Sequence, residues 1–163
     1  MHLLARYLFC ALLAVAATWS TASQAERRVA LVVGNGAYRN VPQLPNPPRD
    51  AAAISALLRN LGFEVITGTN LNRDAMGASM SKFATAADGA DVALFFYAGH
   101  GMSLEGKNYL LPIDANLKSE IDVKLGGPID VEVMLDQTMS TAKVKLVFLD
   151  ACRDNPFVAQ ISR

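Results

Sequence analysis

The chain has 163 residues, with 15 basic and 15 acidic side chains, 52 % hydrophobic and 18 % charged. That composition excludes an intrinsically disordered chain. Zero net charge removes the electrostatic case for a nucleic-acid partner or an anionic membrane surface.

The first 25 residues read as a targeting segment. His2 and Arg6 form a short polar start, Leu8 to Ala17 an apolar run, and Ala22-Ser23-Gln24-Ala25 a small-residue exit. This order is that of a cleavable secretory signal. The apolar run falls short of the roughly 20 residues that span a bilayer, so no stable membrane insertion is expected after cleavage; an uncleaved anchor is the alternative reading. The expected location is secreted or periplasmic, and residues 26–163 form one expected domain. Removing 25 of the 163 residues leaves 138, with His100 as the one histidine and Cys152 as the one cysteine. A lone cysteine in an exported chain forms no internal disulfide and is flagged as reactive or intermolecular. Two soft ligands do not make a zinc site.

Along the mature chain, Arg28 to Val33 is a continuous apolar run, read as a strand buried on both faces. The stretch 35–48 carries Gly36 and four prolines and reads as a loop. Asp50 is expected to cap a helix whose apolar stripe is Ile54, Leu57, Leu58 and Leu61. Gly62 ends it, and Phe63 to Ile66 begins a second strand. Asn72 caps a second helix lined by Met76, Met80, Phe83 and Ala87, closed at Gly89. Asp91 to Tyr97 is a third strand. Gly106-Lys107-Asn108 is expected as a hairpin turn before the extended Tyr109-Leu110-Leu111. A third helix starts at 128–130 and carries Met134, Leu135 and Met139. Val144 to Leu149 is the fourth strand.

Alternating strands and helices predict an α/β fold, a mostly parallel sheet with helices on both faces. Ligands of such sheets bind beyond the carboxyl ends of the strands. His100 follows the third strand and Cys152 the fourth, so both are expected on one rim. An imidazole beside a thiol lowers the thiol's pKa and can later protonate a leaving amine. The backbone N–H groups of Gly101 and Cys152 are candidate oxyanion donors.

Five segments carry a family resemblance. VALVVGNGAY (29–38), DAAAISALLRNLGF (50–63), FFYAGHG (95–101), GKNYLLPIDA (106–115) and LDACRDNPF (149–157) occur in the order found in caspase-like cysteine peptidases. The pattern resembles specifically the bacterial, metacaspase-related members. His100 and Cys152 match the catalytic dyad, and their separation of about 50 residues is that of caspases, the type case of the spacing. The resemblance implies a three-layer caspase-like fold and an endopeptidase acting on protein or peptide substrates. Asp150-Ala151-Cys152-Arg153-Asp154 departs from the animal signature at both outer positions. An aspartate two residues before the nucleophile implies, in metacaspase-type members, an acidic pocket for Arg or Lys. Asp150 matches it, and Asp50 corresponds to a second pocket aspartate. No organic cofactor is implied; calcium dependence occurs among metacaspase relatives, and the sequence assigns no calcium ligands.

The family sheet has six strands, and two of them follow the cysteine motif. The chain is therefore expected to be truncated after the fourth strand, leaving that strand's edge open and apolar. Either the sequence is a fragment of a longer protein, or self-association or a second chain completes the sheet. A non-catalytic scaffold or regulatory module of the same fold is the alternative function. A nucleotide-binding reading of Gly34-Asn35-Gly36 lacks the third glycine of its fingerprint, Arg39 standing there.

Overall fold

The computed structural model describes residues 25–125, 127–151 and 157. The expected signal segment, apart from its last residue, and Cys152 lie outside them. A parallel sheet forms from β1 (Arg28–Gly34), β2 (Glu64–Thr69), β3 (Val92–Ala98) and β7 (Val144–Asp150), in the order β2-β1-β3-β7. Alternate residues of the central strands face opposite layers. Val29, Leu31, Val33, Phe95 and Tyr97 pack with Met76, Met80 and Phe83 of α2 (Arg73–Ala87) and Met134 of α4 (Val131–Met139). Ala30, Val32 and Leu94 pack with Ala51 and Leu58 of α1 (Pro47–Asn60). Both strands are buried on both faces, which is why their sequences lack polar alternation.

Helix α1 starts three residues before the expected cap. Pro47 and Pro48 occupy its first two positions, where a fixed φ suits the helix and a missing N–H costs nothing. Asn46 is the N-cap residue, and Asp50 lies within the first turn, where its charge opposes the helix dipole. The buried face also differs from expectation. Pro47, Ala51, Ser55 and Leu58 are buried, whereas Leu57 and Leu61 are 53 % and 52 % exposed. Small residues win this face because the helix lies close against β1. A Cβ on Gly34 would stand 2.2 Å from the Pro47 carbonyl oxygen and 2.7 Å from the Ala51 Cβ. Ser55 Oγ meets Thr67 Oγ1 of β2 at 2.8 Å, so the polar atom on this face is satisfied.

Helix α2 follows expectation. The Asn72 side chain accepts from the Ala75 N–H, and Met76, Met80, Phe83 and Ala87 are all buried. The hairpin turn does not. Strands β4 (Gly101–Leu104) and β5 (Lys107–Leu110) are joined by Glu105 and Gly106, at φ of 50° and 80°. Two consecutive positive φ values make the tight mirror-image turn that matches strand twist. Lys107 and Asn108 therefore belong to the strand. A short β6 (Ile129–Asp130) pairs with β5. A one-turn helix, α3 (Glu120–Lys124), precedes β6 and was not expected. The Asp122 carboxylate anchors it, accepting from the Lys118 and Ser119 N–H groups. Asp130 caps α4, accepting from Glu132 and Val133.

Strand β7 bears out the expected apolar edge. All seven of its residues are exposed, Phe148 at 52 %, and among the described residues it pairs with β3 alone.

Candidate active site

The register of the sheet defines one rim. Gly34 pairs with Ala98, and Ala98 with Asp150, so β1, β3 and β7 end level. Two further bonds hold the ends together: the Asn35 N–H donates to Ala98 O at 2.9 Å, and the Gly99 N–H to Asp150 O at 3.2 Å. His100 is the second residue past Ala98. Cys152 is the second residue past Asp150 on the adjacent strand, and itself lies outside the described residues.

His100 is fixed at three points. Its Nε2 lies 2.8 Å from the Pro42 carbonyl oxygen. A carbonyl only accepts, so Nε2 carries the proton and the ring's basic lone pair is on Nδ1. Its amide N–H donates to Tyr38 Oη at 2.8 Å. Its carbonyl accepts from Tyr97 Oη at 2.8 Å and from the Leu111 N–H at 3.0 Å. The Tyr38 and His100 rings stand 4.6 Å apart, tilted by 53°.

Tyr38 and Pro42 both come from the loop between β1 and α1, which is tied down along its length. Asn70 Oδ1 accepts from the Gly36 and Ala37 N–H groups, both at 2.9 Å. The Arg39 N–H donates to Ile113 O, and Asn40 Nδ2 to Ala115 O. The prolines that mark this stretch as a loop thus mark a rigid one.

Gly101 is buried and opens β4 opposite Leu110. The Leu111-to-His100 bond identifies that pair as a hydrogen-bonded rung. Rungs alternate in antiparallel ladders, so Gly101 and Leu110 form a non-bonded rung and the Gly101 N–H points away from β5. A hollow of about 100 Å³ lies beside it, lined by Gly101, Met102, Asn108, Tyr109, Leu149 and Ala151, among others.

Asp150 ends β7 and is exposed, while Asp50 is half-buried in the first turn of α1. Pro47 and Ala51 pack on Gly34, which places Asp50 on the same rim as Asp150, across β3. Two strand spacings separate Gly34 from Asp150, about 10 Å. Neither carboxylate forms an ion pair among the described residues. Among the same residues no cluster of three or more His, Cys, Asp or Glu is placed to hold a metal ion. No described helix is long and apolar enough to cross a membrane.

Sequence reasoning singled out His100 but passed over Tyr38, Pro42 and Tyr97. The available signal was a phenol closing each of two buried apolar strands or the loop after one, since a buried tyrosine hydroxyl needs a partner. Burial raises the pKa of Tyr38 above the usual 10.0, and raises that of Tyr97 well above it. A folded-state pKa above the unfolded one contributes stability that is full below pH 10 and is lost as pH rises through the folded values. In an alkaline titration, tyrosinate absorbance from these two phenols should therefore appear together with loss of the near-ultraviolet circular dichroism signal, not before it.

The comparisons with known proteins agree with this fold. The family model described as Caspase domain matches residues 27–162. Human mucosa-associated lymphoid tissue lymphoma translocation protein 1 is 35 % identical over 91 residues, and its Mus musculus homologue 34 % over the same length. These matches cover 56 % of this chain and 11 % of each relative, so the chain spans about a tenth of their length. The crystal structure of the Drosophila initiator caspase Dronc superposes with a TM-score of 0.61 at 18 % identity, over 82 % of this chain and 52 % of that one. That likeness is one of fold: a mostly parallel sheet with helices on both faces. With the family model matched over nearly the whole of the described sheet and helices, the chain belongs to the caspase-domain family.

Proposed function

We propose that the chain is a cysteine-type endopeptidase in which His100 and Cys152 form the catalytic dyad. The observation that carries this reading is the rim. His100 and the residue two places past Asp150 leave adjacent, level strands, and the Nε2-to-Pro42 bond leaves the basic lone pair on Nδ1. In this reading Nδ1 takes the Cys152 thiol proton, and the thiolate attacks the scissile carbonyl. The Gly101 N–H, directed out of the hairpin ladder, and the Cys152 N–H stabilise the oxyanion. The imidazolium then returns its proton to the leaving amine, and water hydrolyses the thioester.

Cleavage is proposed to follow Arg or Lys. The support is the shared rim position of Asp50 and Asp150, two carboxylates free to take a guanidinium by charge-assisted bonds. Fluorogenic peptides differing only at the cleaved position test it. Turnover should be highest with Arg, lower with Lys and at background with Asp. Asp150→Asn should reduce kcat/KM for the Arg peptide by about 10-fold or more, a loss of charge-assisted binding worth on the order of 1.5–3 kcal/mol. Faster turnover of the Asp peptide would overturn the basic preference. The exposed apolar strand β7 supports a further reading, that additional strands complete the sheet, whether from more of the same chain, a second copy or another chain.

A further inference from the structure

The first rung of the β4–β5 hairpin is only half made. The Leu111 N–H reaches His100 O, and the return bond of such a rung would run from the His100 N–H to Leu111 O. It does not form. The His100 N–H goes instead to Tyr38 Oη. Leu111 O accepts from Asn35 Nδ2 at 3.2 Å, with Tyr97 Oη and Tyr38 Oη lying beside it at 3.0 and 3.3 Å. Two phenol hydroxyls, 3.1 Å apart, are wedged into the rung.

One set of hydroxyl orientations uses every donor. The His100 N–H donates to Tyr38, Tyr38 O–H to Tyr97, and Tyr97 O–H to His100 O, which closes a ring that begins and ends on His100. Tyr97 is three residues from His100, but Tyr38 is 62 residues away, so the ring closes only through a long-range contact. Gly99, just before the histidine, is shaped around the same hydroxyls. It sits at φ of 155°, and a Cβ there would lie 2.6 Å from Tyr38 Oη and 2.7 Å from Tyr97 Oη.

We propose that Tyr38 and Tyr97 are positioning residues for the reaction, holding the hairpin open by one half-rung so that the His100 ring is aimed at its partner. The proposal rests on His100 being the general base. A direct rung to Leu111 would draw the His100 backbone toward β5 and away from the Pro42 carbonyl that fixes the tautomer. Both phenols stay neutral over the range in which a cysteine peptidase works, because burial raises their pKa values above the usual 10.0. The ring is therefore a fixed support and takes no proton itself.

Tyr38→Phe and Tyr97→Phe remove one hydroxyl each and keep the packed ring. Thr138→Val serves as the control, because it also removes a buried hydroxyl, one bonded to Met134 O on α4, far from the rim. Two readouts are needed. In chain labelled with ¹⁵N-histidine, the His100 amide should exchange with solvent about 10-fold faster in Tyr38→Phe, and the His100 ring nitrogens should lose their single-tautomer pattern in both tyrosine variants. In peptide turnover, kcat should fall on the order of 10-fold to 100-fold with KM nearly unchanged, as expected for a misaimed catalytic group. Thr138→Val should move neither readout. Ring signals unchanged in both tyrosine variants would overturn the proposal, and so would an unchanged kcat in an active enzyme. An unmodified chain with no turnover would count against the dyad, while the nitrogen signals alone would still decide the positioning role.

Discussion

His100→Ala should lower kcat/KM for an Arg-containing peptide by about 10³-fold. Its melting temperature should stay close to that of the parent chain. The two expectations follow from different atoms of one residue. Chemistry uses the ring, which takes the thiol proton and later gives it to the leaving amine. Stability uses the backbone, whose N–H and C=O are bonded to Tyr38, Tyr97 and Leu111 and are unaffected by removal of the ring. The ring itself contributes one hydrogen bond, to the Pro42 carbonyl, worth about 1 kcal/mol. Steady-state kinetics and a thermal melt on the same preparation separate the two. A melting temperature that fell together with activity would mean that the ring supports the loop rather than the reaction.

Gly34→Ala should be the most destabilising small change in the sheet, costing about 3 kcal/mol and lowering the melting temperature on the order of 10 °C. The obstacle is backbone. The added carbon would meet the Pro47 carbonyl oxygen at 2.2 Å and the Ala51 Cβ at 2.7 Å, and neither can swing aside. Relief requires α1 to move off β1, which strips cover from Ala30 and Val32 and disturbs the start of the helix beside Asp50. Gly62→Ala is the instructive comparison. That glycine has φ of 80°, so alanine there is strained, yet a Cβ would meet nothing within 4 Å. Its cost should be about 1 kcal/mol. Chemical denaturation of the two variants checks the order, and a larger loss at Gly62 would show that close approach of α1 does not control this layer.

These contrasts explain which parts of the protein could be read from its sequence. The central strands β1 and β3 were legible because both are buried by layers on both sides and read as continuous apolar runs, and a run such as Val29 to Val33 has no other economical use. Helix α2 was legible because its apolar spacing meets a broad core and Asn72 caps it. Helix α1 was misread at its face because the spacing of leucines says nothing about a missing side chain on a strand 13 residues earlier. The absence of a Cβ at Gly34 brings Ala51 and Ser55 inward and leaves Leu57 outside. The hairpin turn was misplaced by one residue or two because Glu105, not a glycine, takes the first positive φ. Sequence preference favours glycine or asparagine there, and pairing of Leu104 with Lys107 overrides it.

At the site, the position of His100 followed from a general property of parallel sheets, that chemistry gathers past the carboxyl ends of the strands. What aims it did not follow. Tyr38, Pro42 and Tyr97 act through contacts that join distant segments, the two phenols being 59 residues apart. A tyrosine within FFYAGHG counts as one more apolar strand residue until the partner of its hydroxyl is known. The aspartates illustrate the reverse case. Asp50 looked like a helix cap, and the structure moves the cap to Asn46. That change leaves the carboxylate of Asp50 without a capping duty and on the rim it would share with Asp150.

The central claim is that Cys152 is a nucleophile activated by His100. Alkylation by a peptidyl-arginine chloromethyl ketone, followed by intact-mass measurement and peptide mapping, tests it most directly. The account predicts one adduct per chain, located on Cys152, formed at a rate that drops by about 10²-fold or more in His100→Ala. No adduct on Cys152, or an adduct formed equally fast without the histidine, would contradict it.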